Sequence, residues 1–212
     1  MTLDWSILWQ FRQALWSGLL TTLWISAIGI IGSTLIGVTV GCLGSLPSLL
    51  LRRLTGSYVE LLRNLPMIVK LFFLYFVAGL PAIAAALLAL SLHQSAYIAD
   101  VTRAGIRSIA RGQVDAALSL GHGWPQVFRY VLLPQVLRVV MPPMTTQYVA
   151  VVKNSAVVAL IAVQDLTFET QQINVETFRG FEAATAATVL YILVALAVIG
   201  TMTWLQPRAV RR

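Results

Sequence analysis

Several polar and ionisable side chains stand inside long apolar stretches of this chain. A charge is costly to place in such a stretch, so these residues are candidates for binding a polar solute or for gating its passage. The substrate-path candidates are Lys70, Asp100, Arg103, Lys153, Asn154 and Ser155. In a simpler alternative Asp100 and Arg103, which stand one helical turn apart, only neutralise each other.

Other charged residues near these stretches have a plainer explanation. From Glu60 to Lys70 the polar residues recur at helical spacing, which places them on one predicted helix face. We expect Glu60, Arg63 and Arg107 to pair, or to extend their charged ends to the cytoplasmic surface.

No arrangement of residues indicates a catalytic or a metal-binding site. His93 and His122 have no partners at ligand spacing. The sequence contains no H-E-x-x-H motif, no G-x-S-x-G motif and no close acidic pair, which disfavours a membrane-embedded enzyme. A stand-alone secondary transporter is also disfavoured, because its paired and repeated broken helices are not visible.

The composition is that of an integral membrane protein. Hydrophobic residues make up 58% and charged residues 11% of the 212 residues, whereas a soluble domain carries about 25% charged residues. The formal net charge of +7 comes from basic residues between apolar spans, so it indicates membrane topology and not nucleic-acid binding. The single cysteine, Cys42, lies in an apolar run and is expected to be a buried, inert thiol.

We predict an all-α membrane protein with about five transmembrane helices in one domain, 1–212. A span needs about 20 apolar residues, and the predicted spans are 18–43, 57–79, 83–109, 135–162 and 184–205. Gly79 and Pro81 predict a very short turn between spans two and three, with one long helix kinked at Pro81 as the alternative. Pro142 and Pro143 predict a kinked, broken fourth span.

The distribution of arginines predicts the orientation. The basic residues that belong on the cytoplasmic side are Arg52, Arg53, Arg111, Arg129, Arg208, Arg211 and Arg212. The connection 165–182 is acidic and belongs outside. The N-terminus is then outside, the C-terminus is cytoplasmic, and residues 110–134 form a long cytoplasmic segment.

This cytoplasmic segment has well-defined helix boundaries. A run of good helix formers stops at Gly121, and Pro125 can occupy the first position of the next helix. One interpretation is an amphipathic helix that rests on the membrane surface. The other is a docking helix whose small face, formed by Ala116 and Ala117, lets another protein approach closely.

The residues of this segment resemble the EAA loop of ABC importer permeases. Asp115-Ala116-Ala117 is followed after three residues by Gly121, and after nine more by Val131 to Pro134, as in the family pattern E-A-A-x3-G-x9-I-x-L-P. Further matching stretches are "YVELLRNLP", Lys-Asn-Ser and "ETFRGFE". Together they resemble the polar amino-acid permeases, most closely the glutamate/aspartate import branch, from about Ser17 to Pro207.

The resemblance implies a type I ABC importer permease fold in which residues 110–134 form a coupling helix against a cytoplasmic ATPase. The implied coupling residues are Gln113, Asp115, Ala116, Ala117, Gly121, Leu133 and Pro134. Asp115 either pairs with a basic residue of the ATPase or caps the helix start. The chain has no G-x-x-x-x-G-K-[ST] motif, so we expect ATP and Mg²⁺ on the partner and no cofactor on this chain.

The resemblance also implies the setting, which is a bacterial cytoplasmic (inner) membrane. The implied partners are the lipid bilayer, an extracytoplasmic solute-binding protein, and a second copy of this chain or a sister permease. A dicarboxylic amino acid needs surplus positive charge and one acidic group, which Arg103 and Lys153 against Asp100 supply. The chain departs from the family pattern at Asp115 and Asp100, which replace glutamate, and at Lys70, which replaces glutamine.

Overall fold

The computed structural model describes residues 3–206, and all regular structure in that range is helical. The α-helices are α1 (Ser6–Gln10), α2 (Arg12–Leu43), α3 (Leu49–Asn64), α4 (Met67–Phe72), α5 (Ala82–Arg107), α6 (Arg111–Ser119), α7 (Trp124–Gln126), α8 (Leu133–Ser155), α9 (Leu166–Thr177) and α10 (Gly180–Leu205). Wider π-helical turns follow α4 and α7, and a tighter 3₁₀ helix follows α8, at Phe73–Val77, Val127–Leu132 and Ala156–Ile161. The prediction of an all-α protein is confirmed.

Within residues 3–206, four helices are long and apolar enough to cross a membrane. They are α2, α5, the continuous helix Trp124–Ile161, and α10. The apolar helix Met67–Val77 is shorter and falls well below the roughly 20 residues that a span needs. The terminal arginines predicted to be cytoplasmic, Arg208, Arg211 and Arg212, lie outside the described residues.

The predicted second span, 57–79, is divided in the structure. Helix α3 ends at Asn64 because Leu65 is extended, with φ −91° and ψ 129°. Pro66 accounts for this conformation, since its ring disfavours helical geometry in the preceding residue and it has no N–H to donate. The apolar run therefore forms two helices that meet at a break, so the polar residues from position 60 to position 70 do not share one helix face.

The connection between spans two and three is a short turn. The helical run ends at Val77 and α5 begins at Ala82. Gly79 has φ +67°, a conformation that glycine adopts without the steric penalty of a side chain. The chain therefore turns here and does not continue as one helix kinked at Pro81.

The predicted fourth span, 135–162, also differs from the structure. Pro142 and Pro143 lie inside α8 without ending it, because the neighbouring turns of a membrane helix can compensate for the missing N–H groups. The helix runs unbroken from Trp124 to Ile161, so the second half of the predicted cytoplasmic segment continues directly into the membrane helix. The change of geometry comes later, at Ser155, where α8 tightens into the 3₁₀ helix.

Helices α2 and α5 approach each other along a line of small residues. The buried residues Gly29, Ser33, Gly37 and Gly41 occupy every fourth position of α2. A Cβ atom at position 37 would lie 2.6 Å from the side chain of Ile98 and 2.7 Å from the carbonyl oxygen of Ser95. Only a residue without a side chain allows this approach, which is the way that small residues let membrane helices pack closely.

Buried apolar residues form three clusters in the described part of the chain. One joins α2, α4 and α5 around Ile25, Leu71 and Leu90. Another lies where α9 meets the starts of α2 and α10, and the third joins α5, α8 and α10. Cys42 is exposed, so the expectation of a buried thiol is wrong.

Replacing Gly37 with alanine should weaken the contact between α2 and α5. The new Cβ meets a backbone carbonyl that cannot move aside alone, so we expect a loss of about 1–3 kcal/mol. The purified protein in detergent should then show a lower midpoint of thermal unfolding. Gly200→Ala is the matched control, because no atom lies within 4 Å of its Cβ position. Equal midpoints for the two variants would contradict the close approach.

Candidate functional site

A polar cavity of about 400 Å³ lies between α3 and α5. Its polar lining residues are Glu60, Arg63, Asn64, Tyr97, Asp100 and Arg103. Helix α3 supplies its last turns, which end at the Pro66 break, and α5 supplies three residues that recur every third position along one face. The cavity thus brings together Asp100 and Arg103 of α5, which are predicted path residues, and two charged residues of α3. Those two, Glu60 and Arg63, are predicted to pair or to extend to the cytoplasmic surface.

Asp100 forms an ion pair with Arg63 and not with Arg103. The guanidinium of Arg63 also lies over the ring of Tyr97, 5.1 Å from its centroid. The side chains of Arg63 and Asp100 are 47% and 34% exposed, so the pair contributes little to stability. The interpretation that Asp100 and Arg103 neutralise each other is therefore wrong, because an arginine from another helix takes that place.

Arg103 keeps hydrogen-bonding capacity that the described residues do not use. A terminal nitrogen donates to Oγ1 of Thr55 at 3.1 Å, but Nε is buried and finds no acceptor among the described residues. Gly44 makes room for the guanidinium, since a Cβ there would lie 2.6 Å from it. A buried cationic donor without an acceptor is unfavourable, so the described residues satisfy Arg103 only in part.

Lys70 lies apart from this cavity. Its Nζ donates to the carbonyl oxygen of Leu62 at 2.6 Å and lies 2.6 Å from Nδ1 of His93. The side chain is buried. His93, which has no partner at ligand spacing in the sequence, thus gains one from a neighbouring helix.

Lys153 lies in a third place, where α8 faces α10. It is exposed and lines two cavities of about 270 and 430 Å³ whose other walls include residues of α10. Neither ion pair found within residues 3–206 involves it. Asn154 is half-buried, and the buried Ser155 donates to the Val152 carbonyl at 2.7 Å. The predicted path residues are therefore divided among three places.

The predicted coupling segment contains a tight turn between α6 and α7. Gly121 has φ +83°, and its amide donates to the Leu118 carbonyl at 2.9 Å. The next amide, of His122, donates to the Ala117 carbonyl at 3.2 Å. This pair of hydrogen bonds is the Schellman motif, which favours glycine at this position. Pro125 lies in the first turn of α7, so the predicted helix end and helix start are both present.

The residues of α6 do not all face outward. Gln113, Asp115 and Ala116 are exposed, whereas Ala117 is buried and cannot offer the small docking face predicted for it. Helix α6 has Ala110 as its N-cap and no acidic residue in its first turn. The suggestion that Asp115 caps the helix start is therefore wrong.

Large apolar side chains are exposed around this turn. They are Leu120, Trp124, Phe128, Tyr130 and Leu133, and Pro134 beside them is half-buried. A group of exposed apolar residues of this size indicates contact with another protein or with the membrane. This group is not evident from the sequence, because the exposure of an aromatic residue depends on which neighbours the fold brings beside it.

One buried acid, Asp165, is not evident from the sequence, where it stands only as part of the acidic connection 165–182. Asp165 is fully buried, and its two carboxylate oxygens accept from the Phe168 amide at 2.9 Å and the Tyr191 hydroxyl at 3.1 Å. Burial raises the pKa of Asp165, and these hydrogen bonds oppose that effect. The residue caps α9 and fastens it to α10. An aspartate just before a helical run is the signal that could have identified the cap.

Comparison with known proteins gives a consistent result. Residues 33–211 match the family described as binding-protein-dependent transport system inner membrane component. The glutamine transport system permease protein GlnP of Escherichia coli (strain K12) is 31% identical, over 92% of this chain and 93% of the relative. The glutamate/aspartate import permease protein GltJ of the same strain is 32% identical, over 97% and 95%.

A solved structure agrees with these relatives. The crystal structure of an amino acid ABC transporter with histidines aligns with a TM-score of 0.88 and 28% identity, and the alignment covers 98% of this chain and 100% of that chain. The likeness therefore extends over the whole helical arrangement described above and is not limited to the coupling segment.

Proposed function

The chain belongs to the family of binding-protein-dependent transport system inner membrane components, and we propose that it carries polar amino acids, glutamate and aspartate foremost, inward across a bacterial cytoplasmic membrane. In this proposal it is the permease subunit of an ABC importer. A separate cytoplasmic ATPase binds ATP and Mg²⁺ and hydrolyses the nucleotide. An extracytoplasmic solute-binding protein delivers the amino acid, and a second copy of this chain or a sister permease completes the path.

The polar cavity between α3 and α5 is the observation that carries this proposal. Its lining includes two acids and two arginines, so their formal charges cancel, as do the charges of a zwitterionic amino acid. Because Arg63 and Asp100 pair with each other, Arg103 is left for the carboxylate and Glu60 for the ammonium group. Charge-assisted hydrogen bonds of this kind are about twice as strong as neutral ones.

A second carboxylate on the solute requires a further cation, and Lys153 is the candidate. Its ammonium lies on a membrane-spanning helix without an ion pair among the described residues. Such a charge is costly, and an acidic solute would compensate it. The relatives named for glutamine and for glutamate/aspartate support polar amino acids in general, and Lys153 is the feature that favours the acidic ones.

The exposed side of α6 and the turn after it form the proposed docking surface for the ATPase. Gln113, Asp115 and Ala116 offer polar and small contacts, and Leu120 and Trp124 offer apolar ones. Aromatic residues are enriched at the cores of protein interfaces. Because the helix that starts at Trp124 continues into the membrane, a movement of Trp124 is passed directly to the membrane helix, whereas α6 acts on that helix through the Gly121 turn.

The orientation in the membrane belongs to the same proposal. Arg52 and Arg53 near the start of α3 and Arg129 beside the coupling segment favour a cytoplasmic position for these ends. Helix α9, which carries Glu169 and Glu176, then lies outside together with the N-terminus.

Cysteine labelling should test this orientation. In a Cys42→Ser background, which removes the native thiol, we introduce His122→Cys after α6 or Val175→Cys on α9, where Val175 is 68% exposed. An impermeant maleimide added to intact spheroplasts should label position 175, and the same reagent should label position 122 only in inside-out vesicles. Labelling of both positions from one side would contradict the proposed topology.

Gly121→Ala should impair coupling through backbone strain and not through a steric clash. No atom lies within 4 Å of the Cβ position, but the φ of +83° costs alanine about 1–2 kcal/mol. We expect ATP-driven uptake by the assembled complex to fall about threefold or more, because the turn presents α6 differently. Gly112→Ala is the matched control, since its Cβ position is equally open and its φ is not positive. An equal loss in both variants, or none in either, would count against the coupling role.

Uptake by the reconstituted complex should separate the roles of Arg103 and Lys153. Arg103→Gln removes the proposed site for the carboxylate that all amino acids share, so uptake of glutamine and of glutamate should both fall. Lys153→Met removes only the additional cation. Because a hydrogen bond to a charged group is worth about 1.5–3 kcal/mol, the apparent affinity for glutamate and aspartate should fall about ten- to hundredfold while that for glutamine is unchanged. Radiolabelled uptake competed with each unlabelled amino acid measures these affinities.

The matched control for Arg103→Gln is Arg53→Gln, which alters an exposed arginine of α3 outside the cavity. Normal uptake by Arg103→Gln would show that the cavity is not part of the translocation path. An equal effect of Lys153→Met on glutamine and on glutamate would show that the preference for acidic amino acids is wrong, and would leave the permease function intact.

A further inference from the structure

The break in the second span removes the helical partner of the Leu62 carbonyl. In a continuous helix the carbonyl of Leu62 accepts a hydrogen bond from the amide of residue 66. Residue 66 is proline, which has no amide hydrogen, and α3 ends two residues earlier, at Asn64. A carbonyl at membrane depth without a donor is strongly unfavourable, so a donor from elsewhere in the fold stabilises it.

Lys70 supplies the missing donor from the next helix. Its Nζ lies 2.6 Å from the Leu62 carbonyl oxygen and 2.6 Å from Nδ1 of His93 on α5. The side chain is only 6% exposed, and no acid pairs with it within residues 3–206. The last carbonyls of a helix carry a partial negative charge that favours a cation. The carbonyl groups at the end of α3 thus stabilise the Lys70 ammonium, and the ammonium donates the hydrogen bond that the Leu62 carbonyl would otherwise lack.

A series of side-chain contacts leads from Lys70 to the polar cavity. The ring of His93 meets that of Tyr97 edge to face, with centroids 5.4 Å apart. Tyr97 in turn lies under the guanidinium of Arg63, the partner of Asp100. Arg63 directly follows Leu62 in the chain, so the group that holds the Leu62 carbonyl also holds the backbone from which Arg63 extends.

We infer that Lys70 is a positioning residue, whose ammonium caps the free carbonyl of Leu62 and holds the Pro66 break in the geometry that lets Arg63 reach Asp100. The inference goes beyond the proposed function, because it applies whichever amino acid is carried. It also replaces the predicted substrate role of Lys70, since two of the three donors of an ammonium group are engaged within the chain. His93 must then be neutral, with its hydrogen on Nε2, to accept at Nδ1.

Substitutions at position 70 test the capping role in the full chain within its assembled complex. Lys70→Met keeps most of the side-chain volume but removes the donor, and we expect the thermal midpoint to fall by about 3–10 °C. The apparent KM for uptake should rise about tenfold for glutamine and glutamate alike. Lys70→Gln retains an N–H donor, so its midpoint should stay close to that of the wild type and its KM should change less than about threefold. If the Lys70→Met complex does not assemble, the thermal midpoint and KM of Lys70→Gln test the capping role in its place.

A second substitution, Pro66→Ala, separates the cap from other roles of Lys70. Alanine restores an amide hydrogen at position 66 and lets α3 continue, so the Leu62 carbonyl no longer depends on Lys70. Lys70→Met should then lower the thermal midpoint by less than about 2 °C in the Pro66→Ala background. Uptake should remain low in this double variant, because a continuous helix carries Arg63 away from Asp100.

Three results would overturn the inference. A wild-type midpoint for Lys70→Met would show that the Leu62 carbonyl does not need the ammonium. An equal loss for Lys70→Met with and without Pro66→Ala would show that Lys70 acts elsewhere. A lower midpoint with normal uptake KM would reduce Lys70 to a purely structural residue with no positioning role. None of these results depends on the identity of the transported amino acid, so each is distinguishable from a failure of the proposed function.

Discussion

The close approach of α2 to α5 is the constraint on which the rest of the structure depends. Lipid tails are as apolar as leucine, so helices in a membrane gain little from burying large apolar side chains against each other and rely on tight packing. Gly37 and Gly41 provide that packing by bringing α2 against the backbone carbonyls of Ser95 and Ala99. Helices α3, α4 and α8 in turn lie against α5. The position of the polar face of α5, and therefore of the cavity, follows from this contact.

Irregular backbone at membrane depth is tolerated where protein covers it or where it lines a cavity. Both situations occur in this chain. The short helix α4 lies against the 3₁₀ helix that ends the fourth span, so two irregular elements shield each other. At the Pro66 break between α3 and α4, Lys70 donates to the Leu62 carbonyl and lies beside Nδ1 of His93. The cavity opens on the α3 side of the same break, where Arg63 and Asn64 lie in the last turn of that helix. The broken span therefore provides a polar site at which the Leu62 carbonyl still has a hydrogen-bond donor.

Much of this organisation could be predicted from the sequence, and the errors have a common physical origin. Apolar runs and the spacing around Gly121 depend on residues close together in the chain, so the helical class and the helix boundaries in the coupling segment follow from them. The pairing of Asp100 with Arg63 joins residues on different helices, and spacing along one helix could only suggest Arg103 as the partner. The effect of proline also depends on its surroundings, because Pro66 ends a helix while Pro142 lies inside one.

A site that passes a solute must bind it well enough to admit it and weakly enough to release it. The Arg63–Asp100 pair suits this requirement, because both side chains are partly exposed and such a pair contributes only about 0–1 kcal/mol. The proposed function leaves this pair intact and assigns the solute to Arg103 and Glu60, so binding and release do not require a strong ion pair to break. Arg103 differs, because its buried Nε finds no acceptor among the described residues, which makes it the proposed partner of the solute carboxylate. Lys153 lies on α8 beside α10 and not in this cavity, so in the proposed path an acidic solute would meet the two cations at separate points. A path with separated, individually weak contacts allows release, whereas one site that collected Arg103, Lys70 and Lys153 together would hold a dicarboxylate too tightly to let it leave.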